Sequence, residues 1–152
     1  MLHNPEFVQF LLRAKRATYA AGAAPNGSSR PTSSDLSYSE GEFQYLDSYL
    51  GSRDFLGEEA IWFQGQPLWG MNYHGVMLVE DVPAGFAEIL HAALNAVPFE
   101  APYRGPSEVV MNGFRYICLW HGSLERFNGY ERIEHLGQPI YDLNFHGGKI
   151  NS

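Results

Sequence analysis

Residues 64–75 have the sequence QGQPLWGMNYHG, and residues 136–147 have the sequence LGQPIYDLNFHG. Each segment contains Gly-Gln-Pro and, five residues after the proline, an Asn followed by an aromatic residue, His and Gly. Hairpin turns reuse glycine, so the shared glycines alone would carry little weight. The repeated Asn-aromatic-His-Gly has no such explanation. The pair therefore predicts that the chain contains two copies of one structural unit.

The similarity extends on both sides of these segments. Residues 43–75 align with residues 114–147 when one extra residue is allowed near position 126, and the helical segments 7–11 and 86–90 also correspond. A chain of 152 residues fits one compact domain. The predicted domain is 1–152, a tandem duplication with repeats at about 4–75 and 83–148.

Each repeat is predicted to be one helix followed by about four antiparallel strands. In the first helix Asn4 is a suitable cap, Pro5 fits the first turn and Gly22 is a plausible end. The second helix has Pro83 in its first turn and ends at Pro98. The predicted buried stripes are Phe7, Phe10, Leu11, Ala14 and Ala17, and Phe86, Ile89, Leu90, Ala93, Leu94 and Val97.

The remaining segments alternate in polarity with the period of a strand, and Asn112-Gly113 is a strong hairpin turn. The predicted strands are 36–38, 43–49, 58–64 and 68–74, then 108–111, 114–121, 129–135 and 139–146. We therefore expect an α+β fold in which one helix packs on each sheet and the two units are related by a pseudo-two-fold axis. A ligand cleft at their interface is one expectation. The segment 23–35, rich in Pro, Ser and Gly, is predicted to be an exposed loop, with a lid over a site as the alternative.

Charge and cysteine content limit the classes of function. The net charge is −7, and the ten Lys and Arg residues form no basic stripe, so no nucleic acid partner is expected. Arg13, Lys15 and Arg16 cluster on the first helix, where a solvated face is the simpler interpretation and a phosphate site the alternative. One cysteine, no signal peptide and no membrane-spanning apolar stretch predict a cytoplasmic protein without a membrane partner.

Asp47 interrupts an aromatic strand face. It lies at period-two spacing with Phe43, Tyr45 and Tyr49, and the equivalent position of the second repeat is Cys118. A buried carboxylate is costly unless it is paired. We therefore expect Asp47 to contact something polar, either a ligand or an arginine of the chain. The arginines considered are Arg30, Arg53 and Arg104.

The last strand of each repeat carries a repeated polar face, with Asn72 and His74 in one copy and Asn144 and His146 in the other. These side chains either line a pocket or stabilise turns. Asp142 extends the second set to a weak metal-ligand pattern, which is too unspecific to predict a metal, and no cofactor is predicted. The predicted ligand-binding residues are Asp47, Tyr49, Trp69, Asn72, His74, Arg104, Asn144 and His146.

No residue is identified as catalytic. Glu59 and Glu131 occupy equivalent positions, and two carboxylates could perform acid-base chemistry, although such residues more often accept hydrogen bonds. Cys118 lies between Tyr116 and Trp120 on a strand, which is typical of a buried, inert thiol. The sequence therefore leaves enzyme activity uncertain and favours a protein that is not an enzyme.

Several short motifs in order resemble an uncharacterised bacterial domain family, over about residues 10–150. They are Arg30-Pro31, Asp35-Leu36, Leu46-Asp47-Ser48-Tyr49, Gly57-Glu58-Glu59, Pro67-Leu68-Trp69-Gly70-Met71-Asn72-Tyr73, Tyr103-Arg104-Gly105-Pro106 and His146-Gly147-Gly148. Members of that family occur alone or behind a helix-turn-helix DNA-binding segment. The resemblance implies an effector-sensing or partner-binding module, and it implies no catalytic residues.

Three functions remain open from the sequence. The first is a cytosolic binding module for a small polar or aromatic ligand or for a protein partner. The second is an enzyme that uses histidine and carboxylate acid-base chemistry in a cleft between the repeats. The third is a structural or assembly protein that forms a homodimer.

Overall fold

The computed structural model describes residues 1–152, which form two α-helices and eight β-strands. Helix α1 is followed by a short 3₁₀ turn, Tyr19–Ala21, and helix α2 separates the two sets of four strands. The elements in chain order are α1 Pro5–Ala17, β1 Ser34–Glu40, β2 Phe43–Gly51, β3 Phe55–Phe63, β4 Gln66–Met77, α2 Phe86–Asn95, β5 Glu108–Met111, β6 Phe114–Ser123, β7 Arg126–His135 and β8 Gln138–Lys149.

The eight strands form one antiparallel sheet in the order β1-β2-β3-β4-β8-β7-β6-β5. The two sets of strands meet where β4 pairs with β8, and Asn72 faces His146 while His74 faces Asn144. The α+β class is confirmed. The expectation of a separate sheet for each helix is wrong, because β4 and β8 pair edge to edge and merge the two sets. A tandem duplication does not follow from this architecture alone.

Both helices pack on one side of the merged sheet. Helix α1 contacts β1 and β2, α2 contacts β5 and β6, and the two helices contact each other. The buried apolar side chains of both helices and both sets of strands form a single cluster. Trp69 lies within it, with its ring 5.5 Å from that of Phe127 and 6.2 Å from that of Phe7. We call the helix-covered side of the sheet the inner face and the other side the outer face.

Helix α1 begins at its predicted cap, but both helices are shorter than predicted. The Asn4 side chain accepts a hydrogen bond from the Glu6 amide at 3.0 Å, as the capping pattern predicts. The α-helix stops at Ala17, and Gly22, with φ of 66°, ends the 3₁₀ turn that follows. Pro83 and Pro98 lie outside α2, so the predicted bounds of that helix are too wide. Ala17 is exposed and does not belong to the buried stripe.

Three hairpins turn through equivalent dipeptides. At Asn112-Gly113 the φ angles are 51° and 82°, which is the left-handed pair of a type I′ turn. Gln64-Gly65 and Leu136-Gly137 have almost the same values. The predicted Asn112-Gly113 hairpin is therefore confirmed, and the observed strands extend up to three residues beyond several predicted ends, as at Phe55 where 58 was expected.

Candidate functional site

A buried lysine lies at the centre of the inner face. Lys15 Nζ is 2.9 and 2.8 Å from the two carboxylate oxygens of Glu59, and it donates a further hydrogen bond to the Tyr103 carbonyl at 2.8 Å. Tyr45 donates to the same carboxylate. Both Lys15 and Glu59 are fully buried. Burial lowers the pKa of Lys15, and the adjacent Glu59 opposes that change.

The interpretation of Lys15 as part of a solvated basic face is wrong. Arg13 and Arg16 are exposed, but Lys15 points into the core. The spacing contained the signal, since Phe7, Leu11 and Lys15 are four residues apart and therefore share one helix face.

A second ion pair lies in the other half of the sheet. Arg104 holds Glu131 through two parallel hydrogen bonds, from Nε at 3.1 Å and from Nη2 at 2.9 Å. Tyr116 and Tyr141 also donate to Glu131. Burial lowers the pKa of Arg104, but Glu131 reverses this effect and raises that pKa above its ordinary value. The guanidinium lies 5.5 Å from the ring centre of Tyr19, within the range of a cation–π contact.

Asp47 is a third buried carboxyl group, and it has no cation of its own. It is 2% exposed, and Tyr73 donates a hydrogen bond to its Oδ1 at 2.5 Å. None of the three arginines considered from the sequence is its partner. Arg104 binds Glu131, Arg30 binds the Ser48 carbonyl and hydroxyl, and Arg53 binds the Glu80 and Val79 carbonyls.

The environment of Asp47 favours its neutral form. Burial, and then repulsion from Glu59 on the neighbouring strand, raise the pKa of Asp47 to about 7. The Tyr73 hydrogen bond and the charges of Arg104 and Lys15 act in the opposite direction. Asp47 therefore exchanges a proton near neutral pH, in a part of the core where the other two carboxylates each have a cation.

A cavity of about 580 Å³ lies beside Asp47. Its floor is the inner face of β2, with Tyr73 of β4, and its walls are the 3₁₀ turn and helix α2. The lining residues that bear on the argument are Asp47, Tyr49, Tyr73, Tyr19, His91 and Arg104. Leu36, Leu90 and Leu94 provide most of the aliphatic surface. The lining therefore combines apolar side chains with the ionisable groups of Asp47, His91 and Arg104.

Glycine allows Tyr73 to reach Asp47. A Cβ atom at Gly57 would lie 2.2 Å from the Tyr73 hydroxyl, so only glycine leaves room for the ring to cross β3. The tyrosine hydroxyl then meets Asp47 on β2. The pair thus links β2 and β4 across the intervening strand.

The structure brings together only some of the residues predicted to bind a ligand. Asp47, Tyr49 and Arg104 line the cavity. Trp69 is fully buried in the core, and its Nε1 donates to the Leu124 carbonyl at 3.1 Å. Tyr19, Tyr73 and His91 line the cavity without having been predicted, because only the packing of the 3₁₀ turn and α2 on the sheet brings them there.

The other four predicted residues lie on the outer face. Asn72, His74, Asn144 and His146 are exposed, and they oppose one another in pairs across β4 and β8. They cannot reach the cavity, which opens on the inner face. A ligand role for them remains a prediction, and it would concern a separate surface.

The structure also places the candidates for acid-base, metal and thiol chemistry. Glu59 and Glu131 each belong to their own ion pair, on the face opposite His74 and His146. No three His, Cys, Asp or Glu side chains are positioned to share a metal ion. Cys118 is 1% exposed, and burial raises the pKa of its thiol to about 12. A thiol in this state is a poor nucleophile.

The fold and the cavity define a class of protein, namely an α+β domain with a buried charge network at the edge of a cavity of mixed polarity. Residues 47–150, which are more than half of the chain, match the family described as Domain of unknown function (DUF5680). The chain belongs to this family. No curated protein and no solved structure gave a significant match.

Neither α1 nor α2 has the length and the apolar character needed to cross a bilayer.

Proposed function

We propose that the chain is a small-molecule-binding module whose ligand occupies the cavity beside Asp47. A volume of about 580 Å³ lies in the range of small-molecule pockets. Such pockets combine apolar walls with a few polar groups that orient the ligand. Leucine and tyrosine side chains supply the walls here, and Asp47 supplies the polar anchor.

The free oxygen of Asp47 is the observation that carries this proposal. Tyr73 occupies Oδ1, and no protein group donates to Oδ2. Every fully buried polar side-chain atom in the protein has a hydrogen-bond partner. Oδ2 is therefore not sealed in the core, and Asp47 is one of the residues that line the cavity. A ligand donor placed there would supply the hydrogen bond that the protein leaves open.

A thermal-shift screen against a metabolite library tests the proposal. A ligand that binds only the folded state raises the melting temperature by mass action. Leu90→Trp fills the cavity from α2, and Leu56→Trp adds the same bulk on the outer face, where Leu56 is 52% exposed. We expect hits that Leu90→Trp abolishes and Leu56→Trp retains. Hits that both variants retain, or a complete lack of hits, would count against a ligand in this cavity.

We also propose that the two halves descend from a tandem duplication. The mirrored strand order and the equivalent roles of Glu59 and Glu131 support it. Each glutamate accepts hydrogen bonds from a buried cation and from a tyrosine of the preceding strand, Tyr45 or Tyr116. Circularly swapped chimaeras, with residues 83–148 placed before residues 4–75, test this idea by asking whether the same sheet still forms.

The acid-base alternative has no comparable support. Both glutamates already accept several hydrogen bonds, and the histidines named with them lie on the outer face. A binding module accounts for the free oxygen of Asp47 without a catalytic partner.

A further inference from the structure

The buried charges on the inner face do not balance. Lys15 and Glu59 form one pair, with Nζ 2.8 Å from Oε2, and Arg104 and Glu131 form another, at 2.9 Å. Asp47 is the remaining buried carboxyl group on this face, because Asp35, which is also buried, points to the outer face and accepts hydrogen bonds from Ser33 and Ser48. Three acidic groups thus share two cations. Ionised Asp47 would be an unpaired charge in the core, which is the costly arrangement.

Arg104 also lines the cavity, but no protein cation forms a hydrogen bond or an ion pair with Asp47. Both nitrogens of Arg104 that hold Glu131 are in fixed, bidentate geometry, and Lys15 already makes hydrogen bonds to Glu59, Tyr19 and Tyr103. His91 lines the cavity from α2 but forms no ion pair with Asp47. A positive charge could therefore reach Asp47 Oδ2 only from the cavity.

The cavity walls suit an organic cation. Tyr49 and Phe55 contribute aromatic rings to the lining, and the rings of Tyr19 and Tyr73 already lie 5.5 and 5.6 Å from the Arg104 guanidinium. The electron-rich faces of such rings attract ammonium groups, and desolvation in a pocket strengthens the attraction. The net charge of −7 also attracts cations to the protein and repels anions at a distance.

We infer that the ligand of this cavity is a small primary or secondary amine with an apolar or aromatic body, whose ammonium group donates a hydrogen bond to Asp47 Oδ2. This inference rests on the proposed function and specifies the ligand class for the same site. An ammonium group would restore the balance of three cations and three carboxylates. A quaternary ammonium lacks the N–H that Oδ2 requires, and a carboxylate would add a fourth negative charge.

The inference also predicts that the binding affinity for an amine depends on pH. The ionisable groups that face Asp47 come from five elements. They are Lys15 of α1, Tyr19 of the 3₁₀ turn, Glu59 of β3, Tyr73 of β4 and Arg104 of the loop after α2. An amine binds the ionised form of Asp47, so binding below neutral pH must release a proton from it. The affinity for an amine is therefore expected to rise with pH through neutrality, while a neutral ligand gains nothing.

Matched probes with one body and three head groups test the ligand class. Phenethylamine, 2-phenylethanol and 3-phenylpropanoate are compared by calorimetry at pH 6 and pH 8, with wild type, Asp47→Asn and Leu90→Trp. We expect the amine to bind most tightly at pH 8 and to release a proton at pH 6. Asp47→Asn keeps the shape of the side chain. It should therefore weaken the affinity for the amine by about tenfold or more and change the affinity for the alcohol by less than about twofold.

The outcomes separate this inference from the proposed function. If the alcohol or the carboxylate binds more tightly than the amine, and Leu90→Trp abolishes that binding, the cavity is a ligand site and the amine inference is wrong. Amine binding that survives Asp47→Asn also overturns the inference. If none of the three probes binds, the amine class is rejected, and the library screen with Leu90→Trp alone decides whether the cavity has a ligand.

Discussion

In the second half of the molecule the segment that follows the helix lies against the inner face of the sheet, whereas in the first half the equivalent segment lies in solvent. Residues 101–105 are all buried, and residues 21–32 are all exposed. Tyr103 stacks on Phe127 with ring centres 4.1 Å apart, and the Gly105 amide donates to the Tyr116 hydroxyl at 2.9 Å. The strands beneath the two segments are alike. The course of the segment that follows each helix therefore decides whether the space over the inner face is packed with side chains or left as a cavity.

The same contrast appears in the source of the buried cation. In the first half Lys15 comes from the helix itself, but the position of α2 that aligns with it is Leu94. The second half receives its cation from the loop, as Arg104. That loop covers the position of Cys118, while the aligned Asp47 faces the cavity. A ligand site in one half and a packed core in the other are thus two outcomes of one strand pattern.

Removal of a buried cation should reduce the free energy of unfolding more than any other change considered, and the loss should be similar in both halves of the molecule. Lys15→Met or Arg104→Met leaves a buried glutamate without its partner, and such losses cost about 3–5 kcal/mol in the free energy of unfolding. Urea denaturation at pH 7 measures the change. The control is Arg13→Met on the same helix, because the Arg13 side chain is 46% exposed and its ion pair with Glu40 lies in solvent.

A second variant distinguishes charge from packing. Adding Glu59→Gln to Lys15→Met removes the unpaired charge, so a large part of the lost stability should return. If Lys15→Met is no more harmful than Arg13→Met, the buried pair is not a structural element of the first half.

The acidic group that distinguishes the first half should make stability depend on pH. An unfolded aspartate has a pKa near 3.9, whereas the pKa of Asp47 in the folded protein is about 7. Between these values the folded state holds a proton that the unfolded state has released, so Asp47 lowers stability progressively as pH rises from about 4 to about 7. Asp47→Asn should therefore match wild type near pH 4 and exceed it above pH 7, by at most about 4 kcal/mol.

Denaturation curves collected from pH 4 to pH 8 check this prediction. The matched variant in the second half is Cys118→Ser, which should leave the shape of the pH profile unchanged. A wild-type profile that runs parallel to that of Asp47→Asn would show that Asp47 does not titrate in this range.

Two aligned glycines should tolerate a methyl group to different degrees. In Gly57→Ala the new Cβ would lie 2.2 Å from the Tyr73 hydroxyl, at the end of a side chain that can move. In Gly129→Ala it would lie 2.0 Å from the Phe145 ring and 2.7 Å from the Leu119 carbonyl, which belongs to the backbone. Overpacking of this kind costs about 1–3 kcal/mol, and we expect Gly129→Ala to lie at the upper end.

Thermal denaturation of the two variants measures the difference. Gly27→Ala is the control, because its Cβ would meet only an ordinary contact at 3.8 Å. Gly57→Ala should also displace Tyr73 from Asp47, and so alter the pH profile described above. Equal melting temperatures for Gly57→Ala and Gly129→Ala would indicate that the surroundings of the two glycines accommodate a methyl group equally well.

The smallest expected effect is the slow chemical labelling of Cys118, which aligns with Asp47 in the sequence. Its thiol is 1% exposed and its pKa is raised to about 12, so the folded protein should resist alkylation by iodoacetamide at pH 8. Mass spectrometry should show labelling only at the rate of unfolding, and complete labelling in denaturant. Rapid labelling of the folded protein would mean that the second half also opens to solvent.

Much of the local structure could be predicted from the sequence, because short-range signals specify it. The Asn4 cap, the Asn112-Gly113 turn and the alternation through Phe43 and Tyr45 all act within a few residues. The anomaly of Asp47 was also visible, since a carboxylate on an aromatic strand face requires an explanation. The sequence did not specify that β4 would pair with β8, because that contact joins residues about seventy positions apart.

The candidate site was harder to predict, since its groups come from distant segments. Glu131 could not be assigned to Arg104, or Glu59 to Lys15, from spacing in the chain. Asn72 and His74 drew attention because they recur, yet repetition does not reveal the face on which a side chain lies relative to a helix. Tyr73, which lies between them in the chain, belongs to the buried core and also lines the cavity.

The hydrogen bond from Lys15 to the Tyr103 carbonyl joins residues that are 88 positions apart. A ribosome adds about 5–20 residues each second, so the lysine emerges several seconds before its acceptor exists. During that interval β4 also lacks β8 and exposes an unpaired edge. The first four strands therefore cannot complete their contacts during synthesis without the second four, and the nascent chain exposes a strand edge until β8 has been made.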